Sequence, residues 1–254
     1  MAINVTSGLR AINPQLRAVF FDAGETLLAP HPSHHELFAL VLAERGHPVS
    51  PDAVQEIFAG MGPTFVAVMD QMAVKAWSVS PEASRDFWGR IYSEALDRLG
   101  VPDPKHEIFE ALYERYTRYE SYRLFPECIP TLQAVRNAGL VVGLISNFEE
   151  WLEGMLIEME IAPLFDFMVI SGKEGIEKPD PAIFHLALKR SGIAAETALY
   201  VGDHPKLDVE AARAVGMGAV LIDRKGHHPA FEGDKIETLD GLLGLLNLGY
   251  LEQP

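Results

Sequence analysis

The chain has 254 residues, 48% hydrophobic and 22% charged, an ordinary globular balance with room for one large domain or a domain plus an insert. Its 36 acidic and 21 basic residues leave a net charge of −15, which repels nucleic acid, and no basic run offsets it. No window approaches the run of about 18 apolar residues that a membrane helix needs, and the single cysteine, Cys128, excludes an internal disulfide and a cysteine-based metal cluster.

Met1 to Gln15 has one arginine and no long apolar core, so it reads as a short extension without an export signal. A lone cysteine beside Glu127 fits a structural role in a reducing cytoplasm. Five short apolar segments follow as expected strands: Arg17–Asp22, Leu140–Ser146, Asp166–Ile170, Ala198–Asp203 and Ala219–Asp223. After Leu140 they alternate with helical patterns at Glu149–Glu158, Pro181–Ser191, Lys206–Val215 and Thr238–Leu248. Apolar strands alternating with helices predict a doubly wound, Rossmann-like α/β fold with a parallel sheet covered on both faces.

From about His31 to Arg123 the pattern is helical, and no strand is expected there. Candidate helices are His34–Arg45, Ser50–Phe58, Pro63–Val74, Pro81–Leu99 and His106–Tyr119. Pro30 and Pro32 mark the entry to this insert, and Pro126 and Pro130 the exit. The expected division is a core of residues 1–29 and 126–254 carrying an all-helical cap of residues 30–125. An insert that leaves and returns beside one place has the architecture of a lid.

Four short pieces sit at strand ends, where open α/β sheets bind ligands. The first is Phe20-Phe21-Asp22-Ala23-Gly24-Glu25-Thr26-Leu27, in which Asp22 ends a strand before a turn; aspartate also starts turns for structural reasons alone. The second is Leu144-Ile145-Ser146-Asn147, whose serine and neighbouring N–H groups can hydrogen-bond a phosphate. The third is Gly175-Ile176-Glu177-Lys178-Pro179-Asp180-Pro181, whose lysine can supply the positive charge that a phosphate needs in so acidic a chain. The fourth is Tyr200-Val201-Gly202-Asp203-His204-Pro205-Lys206-Leu207-Asp208; Asp203 and Asp208 near Asp22 suit a hard cation such as Mg2+.

Taken in order, the four pieces resemble the motifs of the haloacid dehalogenase-like hydrolase superfamily, with a helical cap placed after the first motif. The resemblance implies a phosphatase in which Asp22 is the nucleophile that forms an aspartyl-phosphate. It implies that Ser146 and Asn147 bind the phosphoryl group, that Lys178 stabilises nucleophile and phosphate, and that Thr26 orients the first loop. Asp203 and Asp208 would hold Mg2+ with Asp22 and the carbonyl of Gly24. The implied partner is a small phosphorylated metabolite, bound by a monomer or homodimer.

One position departs from the family. Its phosphatases usually carry a second aspartate two residues after the nucleophile, where it protonates the leaving group; here that position is Gly24. Such a general acid is worth about 10²–10⁴-fold. Glu25, a histidine such as His34 or His204, or water could take its place. Gly24 equally admits a metal-independent 2-haloacid dehalogenase or a weak phosphate-binding relative. Three carboxylates near one point are costly without a cation, which favours the phosphatase. Elsewhere, His31, His34 and His35, and His227 with His228, read as solvated loop histidines. Trp77, Phe87 and Trp88 read as cap core or as the lining of a pocket for a planar substrate, and Met61, Met69 and Met72 as helix packing.

Overall fold

A computed structural model describes residues 15–72 and 76–248. The reading of residues 1–14 as an extension, and the end of the Pro63–Val74 helix, lie outside the described residues. Strand β1, Ala18–Phe21, is buried along its whole length and alternates its faces. Ala18 and Phe20 point to one side of the sheet, and Val19 and Phe21 to the other. A short strand β2, Leu28–Pro30, leads into the helical insert.

The insert holds α1 (His34–Glu44), α2 (Pro51–Ala59), α3 (Gly62–Gln71), α4 (Pro81–Arg98) and α5 (Glu107–Tyr116). Three of these starts are set locally. The Ser33 N–H donates to Glu36 at 2.9 Å, and the Ser50 and Ser80 hydroxyls accept from Ala53 and Ala83 at 3.2 Å, the second and third ahead of a first-turn proline. The five helices enclose an apolar cluster of their own around Phe38, Leu42, Ile91, Leu96 and Leu112, separate from the clusters against the main sheet.

The chain returns through β3, Tyr122–Leu124, which pairs antiparallel with β2, Pro30 opposite Tyr122. The expectation of a strand-free stretch to Arg123 is therefore corrected. A two-stranded ribbon stitches entry to exit, and its three-residue strands, one holding a proline, are too short to show a period of two. Next come α6 (Cys128–Asn137), β4 (Val141–Ser146), α7 (Leu152–Glu158), β5 (Phe167–Ile170), the short α8 (Ser171–Glu174) and α9 (Pro181–Ser191). Strand β6, Ala198–Gly202, runs into a π-helical turn, Pro205–Glu210, continued by α10, Ala211–Ala214, where one regular helix was expected. Strands β7 (Gly218–Ile222) and β8 (Lys235–Ile236) and helix α11 (Leu239–Leu245) complete the described chain.

The six-stranded sheet has the order β5-β4-β1-β6-β7-β8 and is parallel throughout. Helices α6, α7 and α11 cover one face and α9 and α10 the other, as the apolar strands predict. The strand order reverses at β1, between β4 and β6. Phe21 pairs with Leu144 on one side and Val201 on the other, so Asp22, Ser146 and Asp203 emerge together at the switch point where doubly wound sheets bind ligands.

Candidate active site

Asp22 is 6% exposed, and its N–H donates to Val201 at 2.9 Å, which continues the ladder with β6 and fixes the start of the first loop. Lys178, 4% exposed, points its Nζ between two carboxylates. It donates to Asp22 Oδ1 at 2.8 Å and to Asp208 Oδ1 at 2.6 Å. A third partner, the Tyr200 hydroxyl at 3.0 Å, itself donates to the Ile145 carbonyl at 2.7 Å. Burial alone would push this ammonium toward its neutral form, but Asp208 and Asp22 more than reverse that and hold its pKa above the usual lysine range.

Asp208 also accepts from the His204 N–H at 2.8 Å. The room for its carboxylate comes from Gly202: a Cβ there would stand 2.4 Å from the Asp208 Cγ. Asp22, Asp203 and Asp208 each place a carboxylate oxygen within 4.8 Å of the other two. Burial first, and then the charges of Asp22 and Asp208, push Asp203 up to about 8. Burial also raises Asp22, opposed by Lys178 and reinforced by Asp208. One lysine does not neutralise three clustered acids. A hard divalent cation fits this all-oxygen donor set and would relieve the repulsion.

Other expected residues have different surroundings. Ser146 is buried at the end of β4, and Ser171, one residue past the end of the neighbouring β5, lies beside the insert. Asn147, expected at the phosphate, uses its side chain on the main chain of Lys178: it accepts from the Lys178 N–H at 2.6 Å and donates to the Lys178 carbonyl at 2.8 Å. Its observed contact is thus with the lysine. The Thr26 hydroxyl is buried with no hydrogen-bond partner among the described residues, and its carbonyl accepts from Arg224 at 2.7 Å.

Glu25, with φ 52°, pairs its carboxylate with Lys225 at 2.8 Å. At Gly24 a Cβ would meet nothing within 4 Å. The His204 ring accepts from the N–H groups of Lys206 and Leu207 at 3.2 Å and so caps the π-helical turn. His34 corrects the reading of a solvated loop histidine. It stacks on Tyr116 with centroids 4.9 Å apart, and burial lowers its pKa to about 4. His227 is exposed, as expected. Burial pushes the Cys128 thiol up to about 12, which makes it inert.

Three contributors escaped the sequence reading. Tyr200 supports Lys178 from inside an otherwise apolar strand, and its polar tip in a buried run was the available signal. Arg224 spans the first loop, donating to the carbonyls of Glu25 at 3.1 Å and Thr26 and to Glu127 at 2.6 Å, with its guanidinium 3.5 Å from the centre of the Phe125 ring. Glu177, next to Lys178, accepts from the Ser78 N–H at 2.8 Å and hydroxyl at 2.6 Å and from the Trp77 N–H at 3.1 Å, which fastens the insert to the core. Neither Arg224 nor Glu177 had a local signal. Beside the loop, Gly24 and Glu25 border a cavity of about 200 Å³ that extends under the insert; Trp77 and Trp88 line it, while Phe87 is buried in the insert's cluster.

The family model for haloacid dehalogenase-like hydrolases matches residues 16–216. The chain belongs to this family of hydrolases. It is 29% identical over 212 residues to haloacid dehalogenase-like hydrolase domain-containing protein 3 of Danio rerio, covering 83% of this chain and 86% of that protein. A phosphoserine phosphatase of Thermus thermophilus is 39% identical over 140 residues, 54% of this chain and 55% of that protein. Among solved structures, the magnesium-bound HAD-hydrolase YfnB of Bacillus subtilis superposes with a TM-score of 0.73 at 16% identity, over 91% of this chain and 99% of that one, a likeness of fold. No helix among the described residues is long and apolar enough to cross a membrane.

Proposed function

We propose that this hydrolase is a magnesium-dependent phosphatase that cleaves a small phosphorylated metabolite through an aspartyl-phosphate on Asp22. The observation that carries the reading is the crowding of Asp22, Asp203 and Asp208 around one buried lysine, with Asp203 held at about 8. The phosphatase relative supports it. Asp22, Asp203 and Asp208 would hold Mg2+ together with the Gly24 carbonyl. When bound, the ion supplies charge that offsets the phosphate and returns the acids to their ionised form.

An oxygen of Asp22 attacks phosphorus, the ester P–O bond breaks, and its electron pair leaves with the alcohol. Water then attacks the acyl phosphate and frees Asp22. Lys178 holds Asp22 in place and faces the charge that develops on the phosphoryl oxygens. Asn147 fixes the lysine's main chain, and on this reading Ser146, buried at the end of β4, donates to the phosphoryl group. With Gly24 in the acid's position, the alkoxide takes its proton from water, so esters of acidic alcohols react fastest. Residues 30–125 act as a lid on a core of residues 1–29 and 126–254, hinged at the β2–β3 ribbon.

The test is hydrolysis of p-nitrophenyl phosphate with and without Mg2+. Turnover that needs the ion and drops about 10⁴-fold or more in Asp22→Asn is expected, the scale on which loss of a nucleophile is felt. Turnover that survives that substitution defeats the reading. Gly24 also suits a dehalogenase, which would release halide from 2-haloacids in excess chelator.

A further inference from the structure

The cavity bordered by Gly24 and Glu25 has an uneven chemistry. More than half of its wall residues are aromatic; Trp77, Trp88, Tyr92, Tyr113 and Tyr116 come from the insert and Trp151 from the core. Among the described residues, the wall holds two carboxylates, Glu25 and Glu149, and neither lysine nor arginine. Glu25 already pairs with Lys225. Glu149 is 8% exposed, and its Oε2 accepts from the Tyr113 hydroxyl at 2.5 Å. Among the described residues, no cationic side chain lies within 4 Å of Glu149. His34, also in the wall, is neutral near pH 7 because burial holds it at about 4. Arg85 lies 4.9 Å from the centre of the Tyr113 ring, but it pairs with Glu110 and forms no part of the wall.

A buried carboxylate without a counter-charge is costly. In a wall shared with these aromatic rings, it matches an organic cation, since ring faces attract cations and the acid supplies the opposite charge. An anionic group in this place would face Glu149 with nothing to offset it. The geometry points to a substrate whose alcohol carries an ammonium group: a phosphate monoester of a small amino alcohol, with its phosphate at Asp22 and its ammonium against Glu149 and the surrounding rings. The phosphate end rests on the phosphatase reading, while the cation site stands on the cavity. A carboxylate beside the ammonium, as in phosphoserine, fits less well because no lysine or arginine among the described residues faces the cavity.

Choline and its neutral isostere 3,3-dimethylbutanol separate charge from shape when titrated calorimetrically into the full chain with Mg2+. Choline should bind at least about tenfold more tightly, and Glu149→Gln should erase that difference. Trp77→Leu should weaken choline binding independently. Equal binding of the two alcohols, or no binding of choline, overturns the inference. In turnover, phosphocholine or phosphoethanolamine should exceed 3,3-dimethylbutyl phosphate and phosphoserine in kcat/KM by a similar factor, and the better of the first two tells whether the ammonium is quaternary or primary. Equal hydrolysis of all four esters sinks the inference and leaves the phosphatase standing. Choline binding without hydrolysis of any ester does the reverse.

Discussion

The acid cluster at the strand ends and the aromatic cavity under the insert meet at one short loop, yet they are built in opposite ways. The cluster draws on β1, β6 and the segments before α9 and α10, and its residues lean on main chain. Asp22 continues a ladder, Asn147 clamps the Lys178 peptide, and Gly202 makes room for Asp208. The cavity is walled by residues from the first loop, three helices of the insert, the β2–β3 ribbon and the segment between β4 and α7, and its rings hold one another in place. A fixed polar floor suits one kind of bond cleavage, whereas a side-chain wall can be rebuilt for a different leaving group. Charge differs as well. The cluster has its lysine, and the cavity's Glu149 has no cation within 4 Å among the described residues.

That difference in charge gives the largest predicted contrast. Lys178→Met leaves Asp22 and Asp208 buried without their partner. It should cost about 3–5 kcal/mol of stability and lower kcat by about 10²–10³-fold, read by urea unfolding and steady-state kinetics. Glu149→Gln removes a buried acid that has no cation within 4 Å among the described residues, so the ligand-free protein should not lose stability in the same way. If both substitutions destabilise equally, the two regions do not differ as described.

Gly24→Asp tests the loop they share. The added side chain meets open space, and alkyl phosphates should gain about 10²-fold in kcat, the lower end of general-acid catalysis, while p-nitrophenyl phosphate gains little. An equal gain for both substrates would show that leaving-group protonation is not what Gly24 lacks.

A pH-dependent effect concerns His34. Its pKa falls from 6.5 to about 4 on folding. Between those values the unfolded chain binds a proton that the folded one refuses, so stability declines as pH drops through that window, by up to about 1.4 kcal/mol per pH unit. His34→Phe keeps the stack on Tyr116 and should flatten that slope, measured as urea midpoints at pH 7, 5.5 and 4.5. An unchanged slope would mean that His34 titrates freely.

The same contrast governs what the sequence could reveal. Strands β1, β4, β5, β6 and β7 stand out as buried apolar runs, and the acids and lysine lie one to eight residues past strand ends, so the cluster is legible as four contiguous motifs. Strand β8 has two residues and leaves no pattern. Helix α6 was hidden by Pro130, which read as a junction although proline is tolerated in a helix's first turn. The cavity was legible only as a suspicion about Trp77 and Trp88. Glu149 acquires its role from Tyr113, 36 positions away, and Arg224 from a loop almost 200 residues earlier. Neither partnership leaves a trace in local spacing.

The Glu177 clasp carries one more consequence. Glu177 holds the 77–78 turn of the insert, and one peptide bond later Lys178 holds Asp22. If the insert swings as the proposed lid, opening strips three donors from a buried carboxylate adjacent to Lys178. Whatever free energy opening takes from the placement of Lys178, a phosphate held at Lys178 returns to closure, because coupling between two sites is equal in both directions. On the proposed reading, the dipeptide Glu177-Lys178 is a mechanical joint between recognition above the sheet and chemistry at its edge.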